Sequence, residues 1–477
     1  MVVGVPVSVF GDNPLLMREP HRDDSSTSAT ERTGLLGLLR RIAHSIWPAP
    51  FVPKSDRDRR MVVVHTLLLH ARPVQLPATT LRYTHTFGLG GMSLVLFLLL
   101  GASGLLTMFA YEPSPDRAWA SIFTLEQQVP FGSLVRGVHF WSANLLVVVA
   151  VLHLLRVFLT GAFRGPRQIN WVVGVGLLLL LLASNFTGYL LPWDQLSYWA
   201  IAISTGMLTY IPWIGESLRR IVLGGDEVGR GTLVVFHSLH TTVLPATLLL
   251  GMAFHFWRVR KAGGVIVPLS NPVGPDGETG SVLFVPNLLL REVAVGLVLT
   301  ALVVALAVAA PPALGEPANS GMSPNPTKAP WYFAGLQELL MHLHPTVALL
   351  LVPLAVLAVA LLPPYLPSDG PAPGDFFLSV RGRRTTLLGV AFGATAAIAW
   401  VLFDASKCGG ASLGFLPLAA LGAAFVLFGK HLRRREATRD ETLQALFSCV
   451  LAGVAVFTLI GVFFRGRGME LVFPWNR

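Results

Sequence analysis

Apolar runs of roughly 20 residues recur along the chain between short polar segments, and each is long enough to cross a bilayer as a helix. Nine such stretches lie near 87–110, 137–160, 171–191, 232–257, 293–312, 346–363, 385–403, 412–429 and 445–464. They predict an all-α fold, a polytopic transmembrane helix bundle of about nine spans. Between Leu35 and Trp47 the pattern differs: Leu35, Leu38, Leu39, Ile42 and Ile46 repeat at helical spacing with Arg40, Arg41 and His44 opposite. That spacing predicts an interfacial amphipathic helix. Two connections, 192–231 and 313–345, are long and carry Pro, Gly and Trp, a composition that favours function over simple linkage. The polar stretch Ser270–Gly280 separates a His-rich first half from a His-poor second. The expected organisation is a cytoplasmic tail with its amphipathic helix (1–82), a four-span unit (83–269), further spans with a long outer loop (270–365), and additional C-terminal spans (366–477).

Composition agrees. Of 477 residues 53% are hydrophobic and only 13% charged, with mean hydropathy +0.61, against about 25% charged in an average soluble domain. Two cysteines, Cys408 and Cys449, exclude a disulfide framework, a C-x-x-C-H haem attachment, and a zinc or iron–sulfur site within the chain. The net charge of +10 does not point to nucleic acid, because the basic residues cluster in alternate loops. Residues 1–82, Arg164/Arg167, Arg258/Arg260/Lys261, Arg381/Arg383/Arg384 and the run Lys430–Arg439 lie on one side. Positive charge accumulates on the cytoplasmic side, which predicts a cytoplasmic N-terminus and an external C-terminus in the inner (cytoplasmic) membrane. No basic n-region precedes the first apolar run, so no signal peptide is expected.

Ionisable groups inside spans are costly and mark function. The second span holds His139 and His153, the fourth His240 and His255. Steps of fourteen and fifteen residues bring each pair to roughly one helical face, one imidazole near each side of the membrane. Because both spans run inward, His139 is level with His240 and His153 with His255. Two facing pairs at two depths describe an N-terminal four-helix di-haem bundle, with two non-covalent b-type haems each held by two histidines. Gly90/Gly104 and Gly174/Gly188 repeat the fourteen-residue step in the first and third spans. Glycine there would give a flat macrocycle clearance. Arg136 and Arg156 lie one turn toward the nearer surface, placed to pair with haem propionates.

The stretches RGVHFWSANLLVVVAVLHLLRVFLTGAFRGPRQINWVVGV, TGYLLPWDQLSYWA and FHSLHTTVLPATLLLGMAFHFWRVRKAGG resemble the cytochrome b/b6 family of quinol-oxidising bc complexes, over about residues 80–262. The fifteen-residue step His240–His255 and the RKAGG ending resemble the b6 branch, with the second half similar to a fused subunit IV. The resemblance implies His139 and His240 on the outer haem, His153 and His255 on the inner one, haem-facing Gly90, Gly104, Gly174 and Gly188, and propionate partners Arg136 and Arg156. Three departures stand out. Gly88 occupies the place of the cysteine that holds an extra haem covalently in the b6 branch. The family's Pro-Glu-Trp-Tyr quinol motif reads Ala329-Pro330-Trp331-Tyr332, without the proton-accepting acid. One chain runs on where the b6 branch divides into two.

The resemblance implies quinol oxidation on the outer side, electron transfer across the membrane, and reduction of quinone on the inner side, near Arg260. Pro330, Trp331 and Tyr332 mark the quinol site, with Pro192-Trp193-Asp194 and Ile211-Pro212-Trp213 as its other wall. Glu338, two turns beyond Pro330, either takes over the missing acidic role or is a solvated helix-end acid; His342 and His344 are proton relays or surface residues. Implied partners are a Rieske iron–sulfur protein, a c-type cytochrome, a second copy of the complex and membrane lipid. Two other readings share the intramembrane histidines: a di-haem anchor of a dehydrogenase or reductase, and a haem-free proton-coupled transporter.

Overall fold

The computed structural model describes residues 53–65, 73–270, 273, 277, 280–370, 373–405 and 416–473. The amphipathic helix expected at 35–47 and Cys408 lie outside these. Each of the nine apolar stretches is mainly helical over its described residues. The helices used below are α1 (Asp56–His65), α2 (Leu89–Met108), α3 (Ala118–Gln127), α4 (Gly132–Leu159), α5 (Gln168–Leu190), α6 (Gln195–Met207), α7 (Gly215–Leu223), α8 (Arg230–Lys261), α9 (Phe284–Ala309), α10 (Trp331–His342), α11 (Val347–Leu361), α12 (Val380–Ala405), α13 (Leu416–Arg434) and α14 (Arg439–Phe463). Among the described residues, seven helices are long and apolar enough to cross a membrane: α2, α4, α5, α8, α9, α12 and α14. Helix α11 is shorter, and α13 ends in the basic run Lys430, His431, Arg433, Arg434.

Helices α2, α4, α5 and α8 form the first bundle, with α9 against the outside of α2 and α4. Leu89, Leu96, Leu146, Val147, Val149, Leu181, Leu299 and Val303 fill the seam between them. Small residues set the spacing. A Cβ on Gly137 would come within 2.9 Å of Ala307 on α9, and one on Gly251 within 2.8 Å of Leu177 on α5. Strand β1 (Gln75–Pro77) pairs antiparallel with β2 (Ser281–Leu283), with Leu76 opposite Val282. This ladder ties the segment before α2 to the start of α9.

The C-terminal helices form a second unit on the same scaffold. Gly389 of α12 faces the backbone of Ala445 on α14, and Gly393 faces that of Cys449, so the two helices run parallel at backbone contact. A parallel pair needs a return between its members, and α13 supplies it. Phe447 of α14 stacks on Phe158 at the end of α4, beside Phe163 and Trp171. At the other end of α14, Gly461 packs against Ala334 and Thr458 against Gly335, which seats α10 on the C-terminal unit.

Gly393→Val would force a branched side chain into the Cys449 carbonyl. It is expected to cost about 1–3 kcal/mol, read as earlier thermal unfolding by tryptophan fluorescence. An unchanged melting curve would contradict the backbone contact between α12 and α14.

Candidate functional site

Helix α4 carries His139 and His153, and α8 carries His240 and His255. The rings of His139 and His240 have centroids 6.1 Å apart, and those of His153 and His255 6.4 Å apart. An imidazole nitrogen sits about 2.0–2.1 Å from a bound metal and about 1.1 Å from its own ring centroid, so two imidazoles on opposite sides of one iron have centroids roughly 6.3 Å apart. Both pairs are spaced to share one metal each, at two depths.

Hydrogen bonding fixes the tautomer of the first pair. Nδ1 of His240 lies 2.9 Å from the Ser184 carbonyl oxygen, which can only accept, so Nδ1 carries the proton. Ser103 donates its single hydroxyl proton to the Leu99 carbonyl at 2.6 Å, and its oxygen, 3.1 Å from His139 Nδ1, must therefore accept. Both rings keep the Nε2 lone pair for a metal. Neither Ser103 nor Ser184 was singled out from the sequence, although Ser103 stands directly before Gly104 and Ser184 one turn before Gly188; a small polar residue beside a ligand-facing glycine is the signal that would have found them.

The fifteen-residue step in α8 has a local cause. Pro245 has no N–H for the Thr241 carbonyl, and residues Leu239–Val243 form a π turn, with the Leu244 N–H bonded to the Leu239 carbonyl. The turn takes up one extra residue just after His240. It thereby brings a fifteen-residue spacing into step with the fourteen of α4.

Each of the four glycines faces one histidine. A Cβ on Gly90 would lie 3.6 Å from His153, on Gly104 3.2 Å from His139, and on Gly174 3.4 Å from His255; on Gly188 it would overlap the His240 ring. The cradle holds a side chain nowhere along its glycine edges, which fits a flat prosthetic group. The arginines differ from one another. Arg136 is already engaged by Glu126 and donates to the carbonyls of Pro312 at 2.7 Å and Ala313 at 3.5 Å. Arg156 is buried and meets no carboxylate among the described residues. Its Nε donates to the His85 carbonyl at 2.9 Å, and its Nη2 lies 3.1 Å from His85 Nε2. Because His85 Nε2 is closer to the Ile266 carbonyl, at 2.7 Å, its proton goes there and Arg156 keeps donors for an anion. Burial, then the Arg156 charge, hold the His85 imidazole below its ordinary value.

With this geometry established, comparison with known proteins decides the family. Residues 75–263 match the family described as cytochrome b/b6/petB. The cytochrome b6 of Prochlorococcus marinus (strain AS9601) is 45% identical over 175 residues, which are 37% of this chain and 80% of that protein. This chain belongs to the cytochrome b/b6 family. The cytochrome b6 of Synechococcus elongatus is 43% identical over the same length, covering 81% of that protein. A solved chain of a hyperthermophilic respiratory Complex III shares the fold with TM-score 0.57 at 24% identity, over 79% of this chain and 91% of its own. The fold likeness therefore extends beyond the family-matched residues. Membership in the cytochrome b/b6 family makes this a multi-pass membrane protein of electron transport and implies b-type haem.

The loops after α5 and α9 and the start of α10 converge near the first histidine pair. Asp194 caps α6 through Ser197 N at 2.9 Å and accepts from Gly315 N at 3.2 Å, tying the loop after α5 to the loop after α9. Trp331 donates its indole N–H to Asn144 of α4 at 2.6 Å, and Phe333 meets Phe186 of α5 edge-on. Pro330 is the cap of α10, and Tyr332 packs on the first bundle. Trp193 is buried, whereas Trp213 is 99% exposed and forms no wall. Arg260 lies half-buried near the end of α8, the end of that helix remote from His240.

Glu338 corrects the expectation from sequence. It is not solvated but fully buried. Ala334 and Gly335 of α10 pack on α14, and Glu338 meets Arg465 just beyond it. Glu338 accepts from Arg465 Nη2 at 2.5 Å and Nε at 3.0 Å, and from His342 Nε2 at 3.0 Å. His342, read as a relay or a surface residue, is also buried, with Nδ1 2.6 Å from Asp404 of α12. Both ring nitrogens face carboxylates, so the imidazolium form gives a neutral cluster of two acids and two cations. Burial works against the Glu338 charge, but hydrogen bonds and charge from His342 and Arg465 outweigh it and hold its pKa low. For His342, burial is likewise overcome, by Glu338 and Asp404, and its pKa is raised. A buried acid so paired is a poor proton acceptor.

Two outcomes follow. Among the glycines, Gly188→Ala should lose haem while Gly90→Ala and Gly174→Ala keep it, because only the first would strike an imidazole; equal haem content in all three would reduce the glycines to packing residues. Because the His342 pKa is raised, its stabilising contribution is complete below the ordinary histidine value of about 6.5 and is lost as pH rises through the folded-state value. Melting temperature measured against pH should therefore fall on the alkaline side, and His342→Gln should abolish that fall. A wild-type pH profile in the variant would remove His342 from the cluster's energetics.

Proposed function

We propose that this chain is the di-haem cytochrome b subunit of a bc-type quinol-oxidising complex, with electrons passing from outer-side quinol to inner-side quinone. The observation that carries the reading is the pair of imidazole couples, each spaced for one metal and each bordered by glycine. His139 with His240, and His153 with His255, would hold two b-type haems, which when bound supply reversible one-electron transfer. Ser103 and Ser184 orient the outer ligands and keep each Nε2 unprotonated. Arg156 offers buried charge to a propionate; Arg136 could do so only by releasing Glu126.

On the outer side Trp331, Tyr332 and Phe333 would present an aromatic wall to a quinol ring, with Asn144 setting the Trp331 indole. The proton chemistry departs from the family pattern. Pro330 has no acid, Glu338 is locked to Arg465 and His342, and Asp194 is spent on backbone N–H groups. Of the two protons that quinol oxidation releases, we therefore assign the first to the partner that takes the other electron, a Rieske iron–sulfur protein, and the second to water at the outer loops. A c-type cytochrome and a dimeric complex complete the reading. The four-span unit (83–269) carries electrons, residues 270–365 supply the quinol loop, and residues 366–477 brace it, with the N-terminus cytoplasmic.

Pyridine haemochrome analysis should find two non-covalent b haems per chain. His139→Leu and His153→Leu should each remove a different component of the reduced-minus-oxidised spectrum. Loss of the same component in both, or a single haem in the wild type, would overturn the depth pairing.

A further inference from the structure

A groove of about 510 Å³ opens between α13 and α14, and none of the four histidines lines it. Phe425, Val426, Gly429 and Leu446 line its apolar part, and Lys430, Arg433 and Arg434 stand at its mouth. All three cations are exposed, and among the described residues none of them forms an ion pair. The acids nearby are used elsewhere: Asp440 by Arg164 at 2.5 Å, and Glu441 by Arg381 at 3.7 Å. Basic residues anywhere in this connection would satisfy membrane orientation. Orientation alone does not explain why three of them rim one apolar groove between two membrane helices.

We propose that this groove binds one anionic phospholipid, with the headgroup phosphate among Lys430, Arg433 and Arg434 and an acyl chain along Phe425, Val426 and Leu446. Charge complementarity selects the occupant. A zwitterionic lipid brings no net charge to three unpaired cations, and a soluble phosphate brings nothing to the apolar part. Basic pockets between membrane helices recognise anionic headgroups on these terms. Gly429 matters because it leaves the groove open: a Cβ there would touch Leu446 at 3.5 Å, so alanine fits and a larger side chain fills the space.

The test is native mass spectrometry of the delipidated, haem-loaded protein titrated with dioleoyl phosphatidylglycerol, dioleoyl phosphatidylcholine or inorganic phosphate. The wild type should retain one phosphatidylglycerol with affinity on the order of tenfold to a hundredfold above phosphatidylcholine. K430Q/R433Q/R434Q should bring the two lipids to parity, and Gly429→Leu should abolish binding with all three charges kept. Unchanged haem content would establish that both variants are folded. Equal retention of the two lipids by the wild type, wild-type binding in either variant, or displacement of the lipid by inorganic phosphate would each overturn the proposal.

Discussion

The first bundle is organised around two facing imidazole pairs, held at two levels along α4 and α8. Ring centroids 6.1 and 6.4 Å apart are ordinary contact distances, so what sets this bundle apart is the clearance around the rings rather than their separation. That clearance can be kept open only if α2 and α5 carry no side chain at the same level. Gly104 and Gly188 meet this condition at the first pair and Gly90 and Gly174 at the second. The same constraint explains the π turn in α8. A fifteen-residue step would rotate His255 out of line with His153 unless one residue were absorbed locally, and Pro245 makes that absorption inexpensive by withholding an N–H from Thr241.

The second half of the chain serves the first by position. The first turn of α10 offers Trp331 and Phe333 to α4 and α5, and its later turns bury Glu338 and His342 against the C-terminal helices. The parallel pair α12 and α14 supplies Asp404 and, just beyond α14, Arg465, so α10 is gripped by charges from two elements outside the family-matched region. Removing one member of such a buried cluster leaves another charge without a partner, at a cost of about 3–5 kcal/mol. The grip is therefore strong only while all four groups are present and His342 is protonated.

The membrane helices were legible in the sequence because period and length suffice: a run of about 20 apolar residues has one stable form in lipid. The histidine pairs were legible for the same reason, since helical geometry converts residue number into depth and face. Glu338 was not legible. Its spacing from Pro330 placed it on a helix, but which neighbour that face met depended on α14, more than 100 residues downstream. His342 was misjudged likewise, because its partner Asp404 belongs to another helix. The groove between α13 and α14 needed two helices in register before its basic rim became a feature distinct from a topological charge run.

Electron paramagnetic resonance of the oxidised protein during a potentiometric titration tests the central geometry most directly. Two low-spin ferric signals of bis-imidazole type, each integrating to one spin per chain and titrating separately, are the expected result. A high-spin signal in the intact protein, or one low-spin centre per chain, would contradict two metals each shared by a facing pair of histidines.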